Sequence, residues 1–485
     1  MTEDRYVEDL ADKDDFSQWY LDVIRKAQLA EDSPVRGCMI IRPYGYALWE
    51  NIQRSLDDRI KATGHQNFYF PLFIPESFLQ REAKHVEGFA PEVAWVTYGG
   101  GEELTERLAI RPTSETIIGH TYARWVQSYR DLPLLYNQWG NVVRWEKRTR
   151  PFLRTSEFLW QEGHTAHRTD EEAEAETMKI LVDVYQDFIE NELAIPVIVG
   201  QKTEAERFAG AARTYSLEAM MGDGKALQAG TSHNLGQNFA KSFEIMFQDV
   251  DGQRKYAWTT SWGASTRMIG GVIMVHGDDA GLQMPPRVAP IQVVIVPIWR
   301  KEHEREVVAA ASLLLDAQLR HAGIRTHVDW REETPGFKYN DWELRGVPLR
   351  LEIGPRDVQN NQAVLVRRDM KPRAKEMVAQ DQVAARAKVL LEEIQRNLFT
   401  RALEFRQSRT SRAETFAELE ARMADRANLG FVEAWWCGDA TCEAQIKAKT
   451  QATIRNIPLA QPGGEGACLY CERPATKWAI FAKAY

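Results

Sequence analysis

The stretch Asn141–His164, NVVRWEKRTRPFLRTSEFLWQEGH, has the pattern of two strands joined by a basic loop. Alternation in NVVRWE predicts a strand that places Arg144 and Glu146 on the same face. EFLWQEGH predicts the returning strand. Four basic residues occupy the loop between them: Lys147, Arg148, Arg150 and Arg154. The segment therefore predicts a hairpin with a positively charged loop.

Two interpretations of this hairpin are open. The guanidinium of Arg144 can bind a phosphate, and the carboxylate of Glu146 can accept a hydrogen bond from the adenine amino group, so the pair would suit a nucleotide. The alternative is an exposed hairpin with a same-face ion pair, which would contribute little to stability. The spacing of the residues alone favours the exposed hairpin.

A second stretch favours the nucleotide. In WTTSWGASTRMIGGVIMVHGDD, residues 258–279, Gly263, Gly270 and Gly271 bracket Arg267. Small residues let a backbone approach a ligand closely, and an arginine at such a place can bind outer phosphates. The two stretches together predict a site for a phosphorylated ligand.

Length and composition indicate a multidomain globular protein. The chain has 485 residues, of which 44% are hydrophobic and 27% charged, and two or three domains are expected for this length. Its net charge of −8 gives no reason to expect nonspecific binding of polyanions. No secretion signal opens the sequence, and its apolar runs are too short to span a bilayer. We therefore expect a cytoplasmic protein with no membrane partner, whose thiols stay reduced.

Composition divides the chain into three regions. Residues 1–283 mix strand-like stretches with amphipathic helices, and three prolines follow at positions 285, 286 and 290. Residues 288–385 alternate strand patterns such as IQVVIVPIW with a helical pattern that stops at Gly323, which predicts a small α/β domain with a parallel or mixed sheet. Residues 400–485 form a third region, rich in cysteine.

Four of the five cysteines lie in that third region as Cys-x4-Cys and Cys-x2-Cys pairs: Cys437, Cys442, Cys468 and Cys471. Disulfides are not expected in a reducing compartment. Two tight pairs of soft thiolates suit a tetrahedral structural zinc, and four unrelated buried thiols are the alternative. The tail therefore predicts a zinc-bound C-terminal domain.

Several stretches of the sequence resemble the motifs of one known family. RWE…RTSEF resembles motif 2 of the class II aminoacyl-tRNA synthetases, GASTRMIGG resembles their motif 3, and GHQNFYFPLFIP resembles motif 1, which implies a homodimer. RPYGYALWENI, AIRPTSETIIGHTYARW, FLRTSEFLWQEGHTAH and LQAGTSHNLGQNFAKSFEI are similar to the prolyl-tRNA synthetases, in which Ser-Thr-Arg is the ordinary form of motif 3. The archaeal and eukaryotic type is implied, because no editing insertion fits between Glu162 and Gly263.

The resemblance implies a multidomain fold of mixed α/β and α+β class. It assigns a class II catalytic domain built on an antiparallel sheet to residues 1–283, an α/β anticodon-binding domain to 288–385 and a small zinc-bound domain to 400–485. The implied activity is that of an ATP-dependent ligase, which activates L-proline to prolyl-adenylate and transfers prolyl to the 3′ end of tRNA(Pro). Magnesium would arrive with ATP. A class II synthetase for another amino acid and a non-catalytic tRNA-binding or regulatory paralogue are the alternatives.

Site residues are carried over position by position. The implied proline-binding residues are Thr113, Glu115, Arg144, Trp160, His233 and Ser265. The implied ATP-binding residues are Arg144, Glu146, Thr155, Ser156, Gln228, Thr231 and Arg267, of which Arg144 and Arg267 would be catalytic. For three of these positions a structural role is the alternative: Thr113 as a helix cap, His233 as a structural histidine and Trp160 as core.

The implied anticodon contacts lie in LEIGPRD, where Glu352, Arg356 and Asp357 could bind the edges of guanines. The nearby VRRDMKPRAK segment would supply a basic patch for backbone phosphates. A solvated charged turn is the alternative for these side chains. In the family the C-terminal tail, which ends here in Tyr485, packs back toward the catalytic domain.

Overall fold

The computed structural model describes residues 10–83, 93–370 and 374–485, which form three parts. In the first part the strands are β1 (Ala30–Asp32), β2 (Met39–Ile41), β3 (Gln66–Asn67), β4 (Phe73–Pro75), β5 (Trp95–Gly99), β6 (Glu102–Ile110), β7 (Leu134–Val143), β8 (Glu157–His167), β9 (Val197–Gln201), β10 (Arg213–Met220), β11 (Ala226–Gly236), β12 (Met246–Gln248), β13 (Arg254–Tyr256) and β14 (Trp258–Ser265). Its helices are α1 (Phe16–Lys26), α2 (Pro43–Ala62), α3 (Glu76–Ala83), α4 (Glu115–Trp125), α5 (Asp170–Lys179), α6 (Asp187–Asn191), α7 (Asn238–Phe243) and α8 (Arg267–His276).

The second part alternates strands and helices. Its elements are β15 (Val293–Pro297), α9 (Glu302–His321), β16 (Thr326–Val328), α10 (Pro335–Leu344), β17 (Leu349–Ile353), α11 (Pro355–Gln359), β18 (Gln362–Arg367), β19 (Lys375–Ala379) and α12 (Val383–Ser408). The elements of the third part are β20 (Thr410–Arg412), α13 (Phe416–Ala424), β21 (Phe431–Trp436), α14 (Ala440–Thr450), β22 (Thr453–Pro458), β23 (Gly466–Ala467), β24 (Pro474–Ala475) and β25 (Lys477–Ala482).

A large sheet joins the first and third parts. Among the described residues its strand order is β20-β21-β25-β22-β9-β10-β11-β14-β8-β7-β3, and the run from β9 to β7 is antiparallel throughout. β22 pairs with β9, so the C-terminal strands extend the sheet of the first part. The antiparallel catalytic sheet that the resemblance implies is therefore present, with the third part built onto its edge.

Helices α1, α2 and α8 contribute buried side chains to an apolar core that they share with this sheet, and Met178 of α5 packs against that core. α5 begins where the Thr169 side chain accepts from the backbone N–H of Glu172, with acidic residues in the first turn that favour the helix N-terminus. Gly163 of β8 lies against the Trp262 ring of β14, and a Cβ at Gly163 would come within 2.0–2.2 Å of ring atoms. The glycine is needed because the indole fills the space where a side chain would stand.

The second part has a mixed five-stranded sheet in the order β16-β15-β17-β18-β19. β16, β15 and β17 are parallel, whereas β17, β18 and β19 are antiparallel. α9 buries Val308, Ala311, Leu315 and Leu319, which recur at helical spacing, against this sheet. The predicted α/β region with a mixed sheet is confirmed.

The C-terminal residues return to the first part. The backbone N–H of Tyr485 donates to the Ala226 carbonyl, its hydroxyl donates to Asp223 at 2.7 Å, and the Arg150 guanidinium lies 5.1 Å from its ring centroid. The tail therefore packs as the resemblance implies. Across the described ranges, no helix has both the length and the apolar character needed to cross a bilayer.

Candidate active site

A cavity of about 270 Å³ opens on one face of the antiparallel sheet. Strands β8, β11 and β14 form its floor, and the segment before α4, the loop after β9 and the first residue of α8 form its walls. Nine of the predicted site residues line it: Thr113, Glu115, Arg144, Trp160, Gln228, Thr231, His233, Ser265 and Arg267. Residues that are scattered from 113 to 267 in the sequence therefore meet at one place.

Strand β8 contributes every second side chain. Phe158, Trp160, Glu162 and His164 all line the cavity, because successive residues of a strand point to opposite faces. The same alternation should have extended the prediction from Trp160 to its three partners. Their polar members, Glu162 and His164, were missed because no motif drew attention to them.

Strand β11 breaks this alternation. Its pairing with β10 shifts in register so that Ala229 is extra, between Gln228 opposite Glu218 and Gly230 opposite Leu217. A bulge of this kind changes which face the following residues present. Gln228 and Thr231 both line the cavity as a result, although their numbers differ by three, which would put them on opposite faces of a regular strand.

The predicted strand through NVVRWE is too long. β7 ends at Val143, so Arg144, Trp145 and Glu146 lie in the loop beyond it. The Arg144 side chain is held by its Nε, which donates to the Pro112 carbonyl at 3.0 Å. Its guanidinium also lies 5.4 Å from the Trp160 ring centroid, within the range of a cation–π contact. Loop geometry, not strand alternation, therefore aims Arg144 at the cavity.

Arg267 is the first residue of α8. Its Nε donates to the Leu153 carbonyl at 3.1 Å and its backbone N–H to Ser265 Oγ at 3.2 Å. Burial and the positive charge of Arg144 lower the pKa of Arg267 to about 10, so the side chain stays protonated at neutral pH. In the part of the chain that the structure describes, neither Arg144 nor Arg267 forms a salt bridge.

Acidic groups gather at the other end of the cavity. Oxygen or nitrogen atoms of Glu115, Glu162 and His164 lie within 4.8 Å of one another, an arrangement that can hold a cation. The Thr113 hydroxyl donates to Glu115, whereas Ser114 occupies the N-cap position of α4. The helix-cap alternative for Thr113 is therefore wrong.

Glu162 and His164 form a buried ion pair, with 3.0 Å between Oε2 and Nε2. Burial opposes charge on the imidazole, but the hydrogen bond to Glu162 and the charge of Glu115 outweigh it and raise the pKa of His164. Burial also opposes the Glu162 carboxylate, yet His164 and the donors Ser114 and Gln138 lower its pKa. The two side chains thus form a fixed ion pair in the lining of the acidic end of the cavity.

His233 closes one side of the cavity together with Phe208. Their ring centroids are 4.7 Å apart, and the Thr214 hydroxyl lies 3.0 Å from His233 Nδ1. Burial and the charge of His164 lower the pKa of His233 to about 3, so the imidazole is neutral at physiological pH. Phe208 and its neighbour Glu206 also line the cavity; they were missed because a loop has no periodicity.

Three predicted residues do not line this cavity. The Thr155 hydroxyl donates to the Glu157 carbonyl at 2.7 Å, and the Ser156 carbonyl accepts from the backbone N–H of Arg144 at 2.8 Å. Glu146 lies 3.9 Å from Arg154. These residues shape the loop that carries Arg144, and their contact with ATP stays a prediction.

The predicted anticodon residues lie close together but have different surroundings. Glu352 is buried and ion-paired with Arg350 and Lys375, and Asp357 accepts from the backbone N–H of Gly354 at 2.9 Å. Arg356 is exposed. Residues 371–373 of the predicted basic patch lie outside the described residues.

The four C-terminal cysteines form one cluster, with all sulfur atoms within 4.8 Å of one another and no disulfide. The Cys437 and Cys471 sulfurs are 3.7 Å apart. Zn–S bonds of about 2.3 Å in a tetrahedron separate the sulfurs by about 3.8 Å, so the donor set fits zinc. Arg473 Nε lies 3.2 Å from Cys471 Sγ, where its charge can offset that of the thiolates.

Comparison with known proteins agrees with this site and fold. The family description "tRNA synthetase class II core domain (G, H, P, S and T)" matches residues 95–276, "Anticodon binding domain" matches 292–390, and "Prolyl-tRNA synthetase, C-terminal" matches 421–485. The antiparallel sheet with its paired arginines and these matches define a class II aminoacyl-tRNA synthetase.

Relatives that match nearly the whole chain show which family within this class the chain resembles. The chain is 60% identical over 477 residues to the proline–tRNA ligase of Symbiobacterium thermophilum, with 97% of each chain covered, and 55% identical over 485 residues to that of Alkaliphilus oremlandii, with 100% and 99% covered. It also superposes on a prolyl-tRNA synthetase from Cryptosporidium parvum solved with halofuginone and AMPPNP, with a TM-score of 0.93, 42% identity and coverage of 98% and 99%.

The chain belongs to the prolyl-tRNA synthetases, the ATP-dependent ligases that join proline to tRNA. The predicted fold class and the predicted ligase activity are confirmed.

Proposed function

We propose that proline and ATP react in the cavity above β8, β11 and β14, with Arg144 and Arg267 as the catalytic residues. The observation that carries this proposal is that two cations line one cavity and neither has an ion-pair partner among the described residues. An anionic triphosphate would supply the missing charge, and fixed cations beside it would stabilise the negative charge that develops during transfer.

The acidic end of the cavity would bind the amine of proline. Proline carries a secondary ammonium with two N–H donors, and Glu115 with Thr113 offers acceptor oxygens at this end. The carboxylate of proline would then face Arg144. A zwitterion is thereby oriented along the cavity, because each of its ends meets the opposite charge.

The apolar ring of proline would lie between Trp160 and His233. The neutral state of His233 suits this role, since a charged imidazole would have to be dehydrated by an apolar ring. Ser265 would bind proline from β14. The nucleotide would contact Gln228 and Thr231 from β11, and Glu146, Thr155 and Ser156 would frame the adenine from the loop after β7.

In the reaction, a carboxylate oxygen of proline attacks the α-phosphorus of ATP. The new O–P bond forms prolyl-adenylate, and the bond to the β-phosphate breaks, so that pyrophosphate leaves with the electron pair. Magnesium would accompany ATP as part of the substrate and would offset the negative charge of its phosphates. A 3′-terminal ribose hydroxyl of tRNA(Pro) then attacks the prolyl carbonyl carbon and releases AMP. Positioning and electrostatic stabilisation would supply most of the acceleration.

Exchange of labelled pyrophosphate into ATP, measured with each of twenty amino acids, tests the proposal. Exchange should depend on proline. Exchange driven by another amino acid, with none for proline, would contradict the assigned substrate. An Arg144→Ala variant that exchanges at a near-normal rate would contradict the assigned site.

The cysteine cluster would hold one structural zinc. Cys437, Cys442, Cys468 and Cys471 would be its ligands, and the metal would tie together a part of the chain with a small core. The mutual distances of the sulfurs support this assignment. Zinc would contribute folding free energy to this region and no step of the reaction.

The regions beyond the cavity would bring tRNA to it. We assign residues 1–283 to the catalytic domain, 288–385 to anticodon binding and 400–485 to the zinc-bound domain. Arg356 is the favoured anticodon contact because it is exposed. Binding by Glu352 would require a guanine to compete with the ion pairs to Arg350 and Lys375, and Asp357 would have to give up part of its helix-capping role.

The protein would act as a cytoplasmic homodimer. In the predicted motif 1 segment, Tyr69 is 72% exposed and Phe73 is 43% exposed. Apolar side chains with such exposure favour an interface between two subunits. Sedimentation analysis of the native chain and of Tyr69→Asp tests this; a native monomer would contradict it.

A further inference from the structure

We infer that the C-terminal part sets the shape of the proline pocket, because helix α14 holds the loop that supplies one of its walls. The loop, residues 202–208, follows strand β9, and its members Glu206 and Phe208 line the cavity. α14 carries Cys442, a cysteine of the cluster. The inference rests on the proposed functions of the cavity and of the cluster.

Two contacts join α14 to the loop. Glu443, the residue after Cys442, accepts at Oε1 from the Thr203 hydroxyl at 2.8 Å, and both side chains are buried. One turn further along the helix, Lys447 Nζ lies 3.2 Å from Glu206 Oε1. The contact with Glu443 is the stronger constraint, because a buried hydrogen bond is costly to leave unmade, whereas Lys447 is exposed.

The start of the loop is held by the same part of the chain. Lys202 Nζ donates to the Arg455 carbonyl of β22 at 2.7 Å and lies 3.4 Å from Glu218 Oε1 of β10. Side chains of Lys202, Thr203 and Glu206 thus all contact residues beyond position 440.

The end of the loop reaches the pocket. The backbone N–H of Phe208 donates to the Thr214 hydroxyl at 3.1 Å, and that hydroxyl lies 3.0 Å from His233 Nδ1. Phe208 also packs on the His233 ring. A shift of the loop would therefore move Phe208 on the His233 ring, a wall assigned to the proline ring, whereas Gln228, Thr231 and Arg267, assigned to ATP, lie outside the loop.

Glu443 is accordingly a positioning residue for proline binding. Glu443→Ala should raise the KM for proline about tenfold, with the KM for ATP and kcat nearly unchanged. Glu443→Gln keeps an acceptor oxygen for Thr203 and should restore the KM. Thr203→Val removes the same hydrogen bond from the loop side and should match Glu443→Ala, and it keeps the test open if the alanine variant fails to fold. Gln445→Ala, at an exposed position of α14, is the control.

Amide hydrogen exchange supplies a second readout. Peptides that cover residues 202–208 should exchange faster in Glu443→Ala and in zinc-stripped protein, and at the native rate in Gln445→Ala. A folded, zinc-loaded Glu443→Ala or Thr203→Val variant with native proline KM and native exchange in the loop would overturn the inference. Native protein that does not use proline would instead overturn the proposed function, and the exchange measurement would still test the contact.

Discussion

Arg144 and Arg267 enter one cavity from different segments, and burial together with the charge of Arg144 lowers the pKa of Arg267. Neither guanidinium forms a salt bridge in the described residues, although the charges of nearby carboxylates act on both: Glu115, Glu162 and Glu146 on Arg144, and Glu218 on Arg267. An anion that binds beside both guanidiniums would reduce their mutual repulsion further. The two guanidiniums therefore favour the binding of an anionic ligand in this part of the cavity.

Removal of either guanidinium should therefore slow proline activation strongly and leave the fold intact. We expect Arg144→Ala and Arg267→Ala each to lower pyrophosphate exchange by about 10²–10³-fold. Circular dichroism should show native secondary structure in both variants. Arg254→Ala, which changes an exposed arginine of the β12–β13 hairpin, is the matched control and should exchange normally. Equal losses in all three variants would contradict a specific role.

The Glu162–His164 ion pair should make stability depend on pH. The raised pKa of His164 contributes stability that is fully present below its unfolded value of 6.5 and is lost as pH rises through the folded value. The lowered pKa of Glu162 contributes stability present above 4.5 and lost as pH falls through the folded value. The pair is thus most stabilising between these two values.

His164→Gln checks this sign. The native chain should exceed the variant in free energy of unfolding by more at about pH 5.5 than at about pH 8.5. Urea denaturation at the two pH values measures the difference. A difference that is independent of pH would show that folding leaves the pKa of the imidazole unchanged, and a larger difference at about pH 8.5 would show that the folded imidazole is neutral.

Glu218→Ala should destabilise the joint between the first and third parts. Glu218 is fully buried and accepts from Arg455 Nε at 3.0 Å, and Lys202 lies on its other side. Its loss leaves two cations without their partner, which costs about 3–5 kcal/mol. Chemical denaturation measures this. Arg305→Ala, in an exposed pair with Glu302, should cost at most about 0.5 kcal/mol, and similar costs for both variants would contradict the argument.

Metal analysis should find about one zinc per chain. Cys468→Ala removes a buried sulfur of the cluster, so the variant should lose the zinc and its C-terminal part should unfold at a lower temperature. Cys38→Ala should retain the metal, because Cys38 lies outside the cluster. A zinc-free native protein whose C-terminal part is folded would contradict the assignment.

Local pattern predicted much of the site's framework. The strand EFLWQEGH is observed as β8, and its alternation aligns Trp160 with Glu162 and His164. The four cysteines could be grouped by their spacing alone. In both cases the information lies within a few residues of sequence, where geometry follows directly from the backbone period.

Other features depend on contacts that no local pattern encodes. The Ala229 bulge reverses the alternation in β11, and the early end of β7 places Arg144 in a loop. The contact between Glu443 and Thr203 joins residues 240 positions apart. Resemblance to a family selected Gln228 and Arg144 correctly as cavity residues, whereas the bulge and the loop explain how they reach it.

The pairing of β22 with β9 has a consequence for biosynthesis. Lys202, beside β9, and Arg455, in β22, lie 253 residues apart, so a ribosome makes one border of the sheet long before its neighbour. Until β22 is synthesised, backbone amides and carbonyls on the outer edge of β9 have no partner strand. Unpaired edge strands can pair with other chains and aggregate. We therefore expect the nascent chain to need chaperones until β22 has been synthesised. The sheet that carries the cavity is completed only when synthesis of the chain is nearly finished.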